Sequence, residues 1–109
     1  MVNIDTVRKL ALSFPETVEQ DHWGRPSFRV KKKIFATIWP VEERAVLKLS
    51  VVDQSVFTEY NSKIFYPIPN RWGKQGWTFV ELKKVRKDMF NDALHLAWSE
   101  VAPKNLLKE

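Results

Sequence analysis

The stretch Arg71-Trp72-Gly73-Lys74-Gln75-Gly76-Trp77 interleaves cations, indoles and glycines. Basic side chains neutralise phosphates, an indole face stacks on an unpaired base, and glycine lets a backbone approach a ligand closely. A second basic group, Lys31-Lys32-Lys33, reads as a hairpin turn, with Lys48 on a later strand. Lys33 and Lys48 could share a sheet surface with Arg29. The ordinary alternative for each cluster is a solvated turn or strand position that keeps a small protein soluble. For Trp77 the alternative is the first residue of a core strand, and for Trp72 a lid folded back on the sheet. Trp23, Trp39, Trp72 and Trp77 could also line an aromatic groove for a small ligand or a protein.

Other chemistry has less material. Asp21 beside His22 suggests a carboxylate orienting an imidazole. Neighbours on a regular strand point to opposite faces, so the pair should not meet, and His22 is expected to bond the backbone instead. His95 falls on the polar side of a helix and reads as solvent-exposed. The chain has no Cys, which excludes disulfides, thiol nucleophiles and Cys-ligated metal, and its two His exclude a three-His site. No G-x-S-x-G, Walker loop or G-x-G-x-x-G occurs, so no catalytic residue, metal or cofactor is expected.

These residues need a scaffold. The chain of 109 residues is 44% hydrophobic with five Trp and seven Phe, enough for one core and one domain spanning 1–109. Ile4, Val7, Leu10, Ala11 and Phe14 mark an amphipathic first helix, capped by Asn3 and stopped at Pro15. The period then becomes two. Thr17–Trp23, Ser27–Val30, Ile34–Trp39 and Ala45–Leu49 read as strands joined by short turns, an antiparallel meander. Ser50 and Asp53 start a second helix whose apolar face would be Val52, Val56, Phe57 and Tyr60. Residues 64–69 are extended, 70–76 form a polar loop, and Trp77–Leu82 is the last strand. A third helix from Lys87 buries Met89, Phe90, Ala93, Leu94, Ala97 and Val101, and Pro103 ends or redirects it. The expected class is α+β, in the order α-β-β-β-β-α-β-α, with helices packed on one face of the sheet.

The run Asp21-His22-Trp23-Gly24-Arg25-Pro26-Ser27-Phe28-Arg29-Val30, then Lys33-Ile34-Phe35-Ala36, Val46-Leu47-Lys48-Leu49, Gly76-Trp77 and Ala102-Pro103-Lys104, resembles the MmcQ/YjbR family of small bacterial proteins. That resemblance implies a frataxin-like (CyaY-like) fold and a DNA-binding role through a double-wing arrangement. Frataxin holds iron on an acidic first helix. Here that helix offers only Asp5 beside Arg8 and Lys9, so no such site is expected.

The formal charge is +5, which favours polyanions. The leading expectation is a small, basic, non-enzymatic DNA-binding module using Lys31, Lys32, Lys33, Lys48, Arg71, Trp72 and Lys74. A small-ligand or protein-binding groove is the alternative, and an enzyme using His22 is third. With no signal peptide or membrane-length apolar run, a cytoplasmic monomer or weak homodimer with no membrane partner is expected.

Overall fold

The computed structural model describes residues 1–107. Helix α1 is Ile4–Leu12, and the Asn3 side chain accepts from the Thr6 N–H at 2.8 Å to close its first turn. The chain then forms β1 (Thr17–His22), β2 (Arg25–Val30), β3 (Lys33–Trp39) and β4 (Arg44–Lys48). Helix α2 (Val51–Tyr60) starts where the Ser50 hydroxyl accepts from the Asp53 N–H. Strand β5 (Phe65–Pro67), the single-turn α3 (Arg71–Lys74), β6 (Trp77–Glu81), α4 (Lys87–Val101) and α5 (Lys104–Leu107) complete the chain.

All six strands form one antiparallel sheet in the order β1-β2-β3-β4-β6-β5. Strands β1 to β4 are the expected meander. Strand β6 pairs next with β4, and β5 is added at the far edge. Helix α4 lies across β3 and β4, α1 beside β1 and α2 beside β5. Between sheet and helices, Phe28, Phe35, Ile38, Leu47 and Val80 meet Phe90, Leu94 and Ala97 in one core.

The register assigns the two faces. Ala36 pairs with Leu47, Ala45 with Val80, and Phe65 with Val80, and all are core residues. The alternate positions point away from the helices: Arg29 and Ile34, Thr37 and Val46, Trp39 and Arg44, Lys48 and Trp77. A bulge interrupts β2–β3, where Phe28 pairs with Ala36 but Arg29 pairs with Ile34. Phe35 is the extra residue, so Phe35 and Ala36 both enter the core in succession.

Several expectations are corrected. Residues 64–69 contain strand β5, and the supposed loop at 70–76 holds the helical turn α3. Strand β2 already begins at Arg25, leaving Trp23-Gly24 as a two-residue turn. Helix α4 ends at Val101, just before Pro103 as expected, but an unexpected helix α5 follows. The largest change concerns α2: Val52, Val56 and Tyr60 are exposed, and its buried residues are Gln54 and Phe57. Phe57 packs on Phe65 with ring centroids 4.9 Å apart. The turn of helix beside it faces polar backbone, which Gln54 satisfies and a valine could not.

Candidate functional site

The sheet face away from the helices carries a cleft of about 660 Å³. Ile34, Thr37 and Trp39 of β3 and Val46 of β4 lie along its middle. His22, Trp23 and Arg25 close the β1–β2 side, and Ile68, Trp72 and Trp77 close the β6 side. Trp23, Trp39, Trp72 and Trp77 therefore share one cavity. Its volume is within the ordinary range for ligand sites. Its charged lining is Arg25 and Lys32, with no carboxylate. A second cavity, of about 470 Å³, lies around Val2 and Pro40 and mixes Asp5 and Glu43 with Lys83.

The β6 side is fixed from behind. The Asn70 side chain accepts from the Trp72 N–H at 2.9 Å and starts the turn that presents the indole. Gln54 reaches from α2 and donates to the Gly73 carbonyl at 2.9 Å, with the Thr78 hydroxyl at 3.1 Å and the Trp77 carbonyl at 3.2 Å. A Cβ on Gly73 would overlap the Ile68 carbonyl, and one on Gly76 the Leu49 carbonyl. Both positions require glycine because another backbone passes where a side chain would stand. The Leu49 N–H donates to the Gly76 carbonyl at 3.0 Å, and the Lys48 ammonium to the Gln75 carbonyl at 2.7 Å.

The opposite side is a tight turn. Trp23 and Gly24 both have positive φ, 55° and 81°, as a two-residue hairpin requires. The Asp21 carboxylate accepts from the Gly24 N–H at 3.2 Å. Asp21 thus serves the turn rather than His22, whose ring stands edge-on to Trp23 with centroids 6.5 Å apart. His22 lines the cleft, which differs from the backbone-bonded role expected of it. Trp23 is 89% exposed.

Between these sides runs an aromatic and cationic surface. The Arg25 guanidinium lies 3.8 Å from the Trp39 ring centroid, and Trp39 meets Phe79 edge-on at 5.0 Å. Arg44 covers Phe79 at 4.6 Å and approaches Glu81 at 3.8 Å. Such stacking orients an arginine while leaving its N–H edge available. The Tyr66 hydroxyl donates to the same Glu81. Burial first, and then that carboxylate, raises the Tyr66 phenol above its ordinary pKa.

The basic residues distribute unevenly. Lys31, Lys32 and Lys33 are exposed at the β2–β3 turn, where Lys31 and Lys32 have positive φ, 48° and 73°. Lys32 lines the cleft. Arg71 and Lys74 are exposed on α3, beside the cleft-lining Trp72. The expected grouping of Lys33 with Lys48 and Arg29 does not form. Lys33 pairs with Val30 and takes the core-side parity, whereas Arg29 and Lys48 occupy outward positions. Trp77 is corrected too: it opens a strand as expected but stands on the outward face, half-buried. His95 is exposed and stacks on Trp98 at 5.8 Å, away from the cleft.

Sequence reasoning missed Arg25, Ile34, Thr37, Val46 and Ile68 as cleft residues. Strand alternation was the available signal, but the bulge at Phe35 shifts it by one residue. Among the described residues, no group of three or more His, Asp or Glu side chains could hold a metal ion, and no helix is long and apolar enough to cross a membrane.

A family model described as YjbR matches residues 12–100. The chain belongs to the YjbR family. The matched segment of this YjbR protein contains the whole sheet and the entire cleft. The fold is similar to the crystal structure of the Deinococcus radiodurans protein DR2400, with a DUF419 domain. The TM-score is 0.82 at 18% identity, over 96% of this chain and 82% of that one. No curated protein matches the chain.

Proposed function

We propose that this YjbR protein is a non-enzymatic DNA-binding module whose contact surface is the tryptophan cleft and its basic rims. The carrying observation is the coincidence of four indoles with a charged lining that is wholly cationic. Indoles stack on bases, and Lys32, Arg71 and Lys74 are available to phosphates. Stacking requires an unpaired base, so single strands are preferred to duplex. No helix presents itself as a groove reader: α3 and α5 have four residues each, α1 and α4 are committed to the core, and the exposed α2 carries Asp53 and Glu59 but no cation. Binding is therefore weak to moderate, salt-dependent and poor in sequence discrimination. In the cleft lining His22 is the one candidate general base, and the neighbouring carboxylate of Asp21 is engaged by Gly24. On this reading the protein works in the bacterial cytoplasm as a monomer or weak homodimer.

The test is a titration of single-stranded and duplex DNA across a salt series. Each phosphate contact should steepen the log–log slope by about 0.7 on single strands. Changing Lys31, Lys32 and Lys33 together to Gln should weaken all sequences alike and flatten that slope. Trp72→Ala should weaken single strands more than duplex. Salt-insensitive binding, or none at low ionic strength, overturns the proposal. A planar small molecule is the second reading, favoured by the cleft volume and by the buried Thr37 and Val46 beneath it. Saturable binding of such a compound without DNA affinity would select it.

A further inference from the structure

Trp23 occupies a position that neither solvation nor backbone energetics recommends. It is the most exposed of the large aromatics, at 89%. It also sits at φ 55°, in a two-residue turn position where Asn, Asp or Gly fits best and a bulky side chain is disfavoured. The fold gains little from the indole, since its ring contact is the edge-on approach to His22. Yet the indole lines the same cleft as Trp72, from the opposite flank of the same sheet face. A large flat apolar group, held in water and beside a cationic lining, is arranged for something that arrives later.

We propose that Trp23 is a second stacking platform of the DNA site: one unpaired base of a single strand stacks on the Trp23 indole and another, further along the strand, on that of Trp72. The inference rests on the cleft being the DNA site and adds which residue completes it. Trp72 rides on fixed backbone, its N–H bonded to Asn70 and the next carbonyl, of Gly73, to Gln54. Trp23 is carried at the tip of a hairpin whose outer strand, β1, is a sheet edge. The phosphates of the strand that joins the two stacked bases then meet Lys32 and Arg25 of the lining and Arg71 and Lys74 near it. Duplex DNA cannot offer a base to either indole without unpairing it, so Trp23 matters for single strands alone.

The substitution Trp23→Asn separates binding from folding, because Asn suits this turn and cannot stack. Labelled oligothymidylate is titrated at low ionic strength against wild type, Trp23→Asn, Trp23→Phe and Trp72→Ala, with thermal melting of each protein. Trp23→Asn should bind about tenfold more weakly while melting at the same or a higher temperature. Trp23→Phe should retain most of the affinity, and duplex binding should change little. If Trp23→Asn binds like wild type while Trp72→Ala is impaired, the second platform is wrong and the cleft reading survives. If Trp23→Asn melts well below wild type, the indole is structural and the proposal falls. If wild type does not bind the oligonucleotide at all, both readings fall together.

Discussion

The two flanks of the cleft present the same chemistry on opposite kinds of support. Trp72 rides on a four-residue turn of helix that would not persist alone, yet every neighbour fixes it. Gln54 is bonded behind it, and the Ile68 and Leu49 carbonyls pass where side chains on Gly73 and Gly76 would stand. Trp23 rides on a hairpin tip, with Asp21 bonded to Gly24 and open space around it. The difference teaches that exposure of an aromatic is not one condition. A half-exposed indole on fixed backbone has its point of attachment set. A fully exposed indole on a turn can move, and a site made of both can admit a ligand and then hold it.

The contrast breaks first at the glycines. Gly73→Ala should cost about 3 kcal/mol or more, because backbone, not a side-chain tip, must move. Gly24→Ala, with nothing within 4 Å of a new Cβ, should cost only the positive-φ penalty of about 1 kcal/mol. Denaturant unfolding of both variants measures the gap, and equal losses would erase the distinction between the flanks. Next is Gln54→Ala, which strips the amide from the Gly73 and Trp77 carbonyls inside the protein. A loss of about 2 kcal/mol is expected. Amide hydrogen exchange should accelerate in residues 71–76 and remain unchanged in residues 21–25.

The smallest effect concerns pH, behind the fixed flank. The Tyr66 phenol is raised above its ordinary value in the folded state, by burial and then by Glu81. Its contribution to stability is complete below about pH 10, where the unfolded phenol is still neutral. It is lost as pH rises from there through the folded value. Tyr66→Phe should flatten the decline of melting temperature above pH 10, and an unchanged decline would assign it to other groups.

Where one physical signal dominated, the sequence was readable. The helical stripe of α1, the Asn3 and Ser50 caps and strands β1 to β4 follow from periodicity and turn chemistry alone. Strand β5 was hidden because three residues ending in a proline show no alternation, and its partner β6 supplies its definition. Helix α2 misled because one of its two inward positions is Gln54, a polar residue suited to backbone acceptors that do not adjoin it in sequence. Trp77 misled because β6 is apolar on both faces, with Thr78 and Val80 inward and Trp77 and Phe79 outward. Trp98 was not assigned, although it is buried and its indole N–H donates to the Pro15 carbonyl at 3.1 Å. The cleft depends on the bulge at Phe35, and a bulge is a property of two strands together.

An open sheet ends in two strands whose outer backbone groups have no partner within the sheet. Such rows invite a further strand from another molecule, which is how many β proteins aggregate. This sheet treats its two margins differently. The β5 margin is three residues long and ends at Pro67, which has no N–H to offer, so it gives an incoming strand little to grip. The β1 margin is six residues long, with Glu19 and Asp21 exposed along it. Two such margins meeting side by side would crowd the Glu19–Arg8 ion pair and the Asp21 carboxylate against their copies. This protein leaves one sheet face bare and its sheet open, and the short proline-ended margin and the charged one limit its growth into fibres.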